Sequence, residues 1–224
     1  MWTDRTEILF GQEGLEKLKK SRVAVVGIGG VGGYVALMLA RAGVENLVLV
    51  DFDKVDETNI NRQVVATTKT VGSYKTLVMK QMIEEINPKC NIETFEDRFC
   101  KETAENILSL KIDYVVDAID SVKDKVELIC CCKQKGINIV SAMGAGNRKN
   151  IPQFKVLDIY KTSNDGLAKV MRKKLRESNI ESLDVVASEE KGEKTEHTAI
   201  GSVSYYPAMC GCVLSAFVIN KISE

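Results

Sequence analysis

The sequence predicts an α/β domain of Rossmann-like type, a mostly parallel sheet with helices on both faces, followed by a C-terminal β/α extension and a mobile crossover loop. Three observations predict it. Short β-branched runs alternate with helical periodicity from residue 22 onward, the pattern of strands buried between helices. Gly27, Gly29 and Gly32 are spaced G-x-G-x-x-G directly after the first run and at the start of the first periodic stretch. Acidic residues close the second and fourth runs, at the edge where open α/β sheets bind ligands.

Taken in order, residues 1–21 are expected to form a helical arm, residues 22–146 a nucleotide-binding core, and residues 147–224 a C-terminal substrate-contacting part, all within one domain. "RVAVVGIG" (22–29) reads as a buried strand, "VGGYVALMLARAG" (31–43) as a helix closed by Gly43, and "NLVLVD" (46–51) as a second strand. A helix over 72–87 stops at Asn87-Pro88, because the residue before proline avoids helical backbone. A strand at 91–95, a helix at 101–110, a strand in "KIDYVVDAID", a helix at 122–135 and a strand at 137–143 complete the core. Beyond Gly146 come a strand at 152–160, a basic helix at 165–178, a polar, poorly ordered loop at 187–201, and an apolar helix at 205–222 begun by Pro207.

The 31 basic side chains balance 31 acidic ones, so a polyanionic partner would have to meet a local basic patch. The seven cysteines are odd in number, sit mostly in apolar segments and form no C-x-x-C pair. That pattern fits a reducing cytoplasm and argues against a four-cysteine zinc site. "MWTDRTEILFG" lacks the basic and apolar regions of a secretory signal, and no apolar run approaches the roughly 20 residues of a membrane span, so no membrane partner is expected.

The glycine loop lets a backbone approach phosphate at a helix N-terminus, and Asp51, closing the second strand, suits ribose hydroxyls. These features serve NAD and ATP equally. The loop that follows, "VDFDKVDETNINRQ", carries Asp53, Asn59, Asn61, Arg62 and Gln63, and Lys75 opens the next helix. A nicotinamide site does not call for an arginine and a lysine together. A triphosphate being cleaved does, because both cations neutralise charge building on the departing pyrophosphate. Asp117 and Asp120 end the fourth strand, where a carboxylate can hold Mg2+ bridging phosphates. Singly, Arg62 or Lys75 would be a solvated surface charge and Asp117 a helix cap. Their joint occurrence at successive strand ends favours a shared phosphate site.

The stretches "GIGGVGGYVALMLARAG", "LVDFDKVDETNINRQ", "VGSYKTLVMKQMI" and "VVDAIDSVKDK" resemble the ThiF-type adenylating superfamily of ubiquitin-activating enzymes and their bacterial relatives. The resemblance implies attack of a carboxylate on the α-phosphate of ATP. By that resemblance Gly29, Gly30 and Gly32 correspond to the glycine loop, Asp51 to the ribose acid, Asn59, Arg62 and Lys75 to the phosphate contacts, and Asp120 to the magnesium-linked aspartate. It implies a homodimer, with Arg5 in "DRTEILFG" donated to the partner's ATP.

Members activating the C-terminal Gly-Gly of a ubiquitin-like sulfur carrier usually hold zinc on two C-x-x-C pairs and often use a crossover-loop cysteine; this chain has no such pair, and no cysteine lies between Cys132 and Cys210. "VSAMGAGNR", "LAKVMRKKLR" and "GSVSYYP" are instead similar to a bacterial branch, the tRNA threonylcarbamoyladenosine dehydratases. Gly33 in place of a frequent serine, "NDG" in place of a proline-containing turn, and a short tail are departures that remove no phosphate ligand. That branch implies ATP-dependent adenylation of a threonine carboxylate on tRNA, then intramolecular ring closure releasing AMP. Such a reaction needs no enzyme nucleophile, so Cys210, Cys212 and the single histidine, His197, are read as non-catalytic. Lys169, Lys173 and Arg176 fall at i, i+4 and i+7 and, with Arg172, suit a tRNA backbone, although a solvated basic face has the same pattern. Arg148, past the "GAG" turn, is a further candidate for tRNA or the substrate carboxylate. Na+ or K+ at that turn and a cysteine desulfurase of a sulfur relay are the remaining cofactor and partner candidates. An NAD dehydrogenase and a non-catalytic scaffold are the other readings, separable by bound-cofactor analysis and by loss of ATP binding.

Overall fold

The computed structural model describes residues 1–193 and 199–224. Its elements are α1 (Asp4–Lys20), β1 (Arg22–Val26), α2 (Gly32–Ala42), β2 (Asn46–Val50), α3 (Lys75–Ile86), β3 (Asn91–Phe95), α4 (Lys101–Leu108), β4 (Tyr114–Asp117), α5 (Val122–Lys135), β5 (Asn138–Ala142), β6 (Phe154–Asp158), α6 (Gly166–Glu177), β7 (Asp184–Ser188) and α7 (Tyr205–Ser223). The strands form a seven-stranded sheet in the order β3-β2-β1-β4-β5-β7-β6. Neighbours are parallel except β6, which pairs antiparallel with β7 at the edge. The architecture is the α/β, mostly parallel one expected.

Alternation along each strand builds two cores. Val23 and Val25 of β1 face α2, α3 and α7, while Ala24 and Val26 face α4, α5 and α6. Both faces are dry, so the strands read as continuous apolar runs. Gly43 closes α2 in left-handed backbone (φ 104°), a conformation open to glycine without a Cβ clash. From β1 the chain runs outward to β2 and β3, then returns to β4 on the other side of β1. Strand order therefore reverses between β1 and β4, and Val26, Val50 and Asp117 are in register at the carboxyl edge there.

Two elements differ from expectation. Strand β7 occupies residues assigned to no element or to the polar loop, because its only long apolar side chains are Val185 and Val186, too few to reveal a period. Partners decide it: β5 on one side and β6 on the other. The rest of the 187–201 loop includes residues 194–198 and with them His197, which lie outside the described residues. The second difference concerns the length of an apolar run: α7 lies where an apolar helix was expected, yet it is long and apolar enough by composition to cross a membrane. It packs instead as a core helix, with Cys210, Leu214 and Val218 fully buried against the sheet. The expected arm is likewise packed: Leu15 and Leu18 are buried, Lys17 donates to the carbonyl of Glu224 at 3.0 Å, and the helix bends at Gly11 (φ 74°).

Candidate active site

A cleft of about 790 Å³ opens at the carboxyl ends of β1, β2, β4 and β5. Gly27, Gly29 and Gly30 form its floor. Gly27 has φ 93°, and a Cβ there would meet the carbonyl oxygen of Ala118 at 2.6 Å, so the loop is pressed against the end of β4. Gly32 lies behind the loop and does not line the cleft: a Cβ on it would lie 1.8 Å from the carbonyl oxygen of Gly27. It acts on the site through packing. Gly32→Ala is expected to cost about 1–3 kcal/mol, as overpacking does. The loop would be displaced, weakening ATP binding in calorimetric titration; unchanged affinity and melting temperature would refute this assignment.

Asp51 is held from two sides. Its carboxylate accepts hydrogen bonds from the backbone N–H of Ile28 at 2.6 Å and of Asp53 at 2.8 Å, which fixes the acid under the glycine loop. Burial pushes its pKa up, with Lys75 and the two N–H donors opposing. Asn59 closes a short 3-10 turn by accepting from the N–H of Asp56 at 3.2 Å. From that turn Arg62 is aimed by donating to the carbonyl of Thr58 at 2.8 Å and to Oδ1 of Asn61 at 2.9 Å. Gln63 is buried in the cleft wall, and its Oε1 has no hydrogen-bond partner among the described residues. A buried amide left open is costly unless something supplies a partner, and a nucleotide can.

Lys75 is the first residue of α3, buried to 5% exposure and paired with Asp53 at 2.8 Å. Its ammonium therefore sits at a helix N-terminus, where the backbone adds further positive potential for phosphate. Lys75, Asp53, Asn59, Arg62 and Gln63 all line the cleft.

The two acids after β4 separate. Asp120 is exposed, lines the cleft, and makes no hydrogen bond or ion pair among the described residues. Asp117 cannot serve as a magnesium ligand, because it is fully buried and engaged by Lys125 at 2.8 Å, by Ser141 and by the N–H of Ile119 at 3.1 Å. Among the described residues no group of three or more His, Cys, Asp or Glu is arranged to hold a metal. A cation here would rest on Asp120 and on phosphate oxygens, the usual mode for Mg2+.

Other residues complete the lining: the sequence offered the Met143–Gly146 turn only as a monovalent-ion site, and gave no sign of Leu167, Ile200 or Ser202. Met143, Gly144, Ala145 and Gly146 form a wall after β5, Leu167 projects from the first turn of α6, and Ile200, Ser202 and Pro207 close the far side. The 200–202 segment is pinned to both rims. Asn61 donates to the carbonyl of Ser202 at 3.1 Å, and Gly201 exchanges two hydrogen bonds with Asn147, at 2.6 and 2.7 Å. Asn61 was visible in "NINRQ", but its partner lies 141 residues away.

Other candidates stand elsewhere. Arg5 is exposed on α1 and does not line this chain's cleft. Lys169, Lys173 and Arg176 share an exposed face of α6, with Arg176 over the ring of Tyr160 at 5.0 Å. Arg172 is half-buried and donates to Thr162, and Arg148 is buried among Gly144, Asp165 and Glu190, so neither presents a free guanidinium to a partner. Burial pushes the Cys210 thiol up to about 12, which keeps it protonated and non-nucleophilic near neutral pH.

The ThiF family model matches residues 3–224. The tRNA threonylcarbamoyladenosine dehydratase of Bacillus subtilis (strain 168) is 44% identical over 187 residues, covering 83% of this chain and 74% of that protein. The dehydratase of Escherichia coli (strain K12) is 38% identical over 178 residues, covering 78% and 66%. The crystal structure of E. coli tRNA N6-threonylcarbamoyladenosine dehydratase in complex with AMP superposes with a TM-score of 0.93 at 33% identity, covering 98% of this chain and 92% of that one. Its complex with ATP gives 0.92.

Proposed function

Because the chain belongs to the ThiF family, we propose that it adenylates a carboxylate with ATP, and that the carboxylate is the threonine group of threonylcarbamoyladenosine in tRNA. The observation carrying this reading is one cleft lined together by the glycine loop, Lys75 and Arg62. A carboxylate oxygen attacks the α-phosphorus, the bond to the β-phosphate oxygen breaks, and pyrophosphate leaves with its charge met by Lys75 and Arg62. The neighbouring carbamoyl group then attacks the acyl carbon and closes a ring, and AMP departs with the carboxylate oxygen. The nucleoside loses one water overall. Tethering of the attacking atom makes an enzyme nucleophile unnecessary, in keeping with the protonated Cys210 thiol.

Asp120 would hold Mg2+, which would supply positive charge against the phosphates. Lys169, Lys173 and Arg176 would meet the RNA backbone, a role their shared exposed face supports. Arg5 would act across a homodimer, and Ile8 and Leu9, 80% and 76% exposed beside it, are the apolar surface a second copy would cover. Na+ or K+ at the Met143–Gly146 turn would join a turn whose Gly144 carbonyl already accepts from Arg148. A cytoplasmic location would suit a tRNA substrate.

The test is mass spectrometry of nucleosides from tRNA bearing threonylcarbamoyladenosine, incubated with the protein, Mg2+ and ATP against a no-ATP control. Loss of one water with formation of AMP is expected. An unchanged nucleoside, with ATP–pyrophosphate exchange only on adding a carrier protein ending in Gly-Gly, would establish sulfur-carrier activation instead.

A further inference from the structure

The cleft has two halves. The glycine loop, Asp51, Arg62, Lys75 and Asp120 surround the switch point, while the Met143–Gly146 turn and Leu167 face them from the β5 side. Behind this second half lies a buried charged pair, Arg148 and Asp165, with side-chain exposures of 4% and 1% and a separation of 3.4 Å. Asp165 caps α6 by accepting from the N–H of Ala168 at 2.8 Å and also accepts from the N–H of Gly144 at 2.9 Å. Arg148 donates to the carbonyl of Gly144 and, at 3.1 Å, to that of Glu190. Both backbone polar groups of Gly144 are thus tied to one ion pair. No room is left: a Cβ on Gly144 would lie 2.9 Å from the Asp165 carboxylate.

A cap alone needs only an uncharged oxygen, and a buried ion pair is seldom more stabilising than apolar packing of equal volume. What the pair supplies is fixed geometry. We propose that Arg148 and Asp165 are positioning residues that lock the Met143–Gly146 turn to the first turn of α6, so that this turn and Leu167 form a rigid wall holding the acyl substrate against the nucleotide. The proposal rests on the adenylation reading above. Leu167 enters the cleft from the same helix whose exposed face carries Lys169, Lys173 and Arg176. A polyanion docked on that face is therefore held at a set distance from the reacting carboxylate, and a small misplacement at that point carries a large rate cost.

The test compares the full-length wild type with Arg148→Met, Arg148→Lys and Leu167→Ala. Steady-state AMP formation on modified tRNA, equilibrium ATP binding, and amide hydrogen exchange across residues 143–146 and 165–169 are measured. Arg148→Met is expected to lower kcat by about tenfold or more while ATP affinity stays within about twofold, with Arg148→Lys between it and wild type. Leu167→Ala, which touches no ion pair but packs on the core, is expected to raise the KM for tRNA with only a modest loss of melting temperature. In Arg148→Met both segments should exchange faster together, a result independent of what the substrate is. Unchanged exchange overturns the clip. Faster exchange with unaltered kcat and KM overturns its positioning role, as does a fall in ATP affinity matching the fall in kcat. A wild type inactive on modified tRNA, with the coupled faster exchange still seen in Arg148→Met, would refute the adenylation reading and leave the clip standing.

Discussion

Lys75→Ala is expected to slow adenylate formation by on the order of a hundredfold or more, the usual effect of removing a preorganised group that meets charge developing in a transition state. Its ammonium is nearly buried, anchored by Asp53 at 2.8 Å and placed at the N-terminus of α3, so little reorganisation is needed when pyrophosphate departs. Arg62→Ala should behave alike, because the guanidinium is aimed by Thr58 and Asn61. The measurement is AMP release in single turnover, beside equilibrium ATP binding and thermal unfolding. A large fall in rate with a small change in affinity marks interactions strongest in the transition state. If both variants turn over within a few fold of wild type, neither cation faces the reacting phosphates.

Lys125→Met is expected to destabilise the fold by roughly 3–5 kcal/mol, the cost of leaving a buried charge without its partner. Asp117 and Lys125 are each 0% exposed, and among the described residues the Asp117 carboxylate is otherwise bonded to Ser141 and the N–H of Ile119. A domain's whole stability is about 5–15 kcal/mol, so the loss should be plain in urea unfolding. The double variant Lys125→Met with Asp117→Asn should recover much of it, since neither position then carries a buried charge. Equal stability of the single variant and wild type would mean that water or a rearranged neighbour reaches Asp117. The same pair bears on the site, because Asp117 fixes the start of the segment that carries Asp120 into the cleft.

How much of this was legible varies by residue. The glycine loop, Asp51, Asp53, Asn59, Arg62, Gln63 and Lys75 lie within one continuous stretch of chain, and the rule that ligands bind at strand carboxyl ends brings them together. Arg148 was legible only as a cation after a glycine turn; its burial depends on Asp165 and Glu190, which sequence spacing does not place beside it. Arg172 shows the same limit, since helical periodicity puts it near Lys169 and Lys173 but cannot tell that Thr162 receives it.

The sequence by itself determined the order of strands and helices along the core, the candidate phosphate-contacting residues of its first half, and the basic face of α6. These rest on local properties, namely periodicity, glycine spacing and the side chains that end each strand. Only the tertiary structure decided that Asp117 is locked away by Lys125 and Ser141 while Asp120 stays open to the cleft, that Asp184–Ser188 is a strand, and that α7 packs as a core helix. Only it decided that Leu167, the Met143–Gly146 turn and Ile200 share a wall. The physical reason is that burial and pairing are settled by partners distant in the chain, which compete for each carboxylate, guanidinium and strand edge in ways no local pattern records.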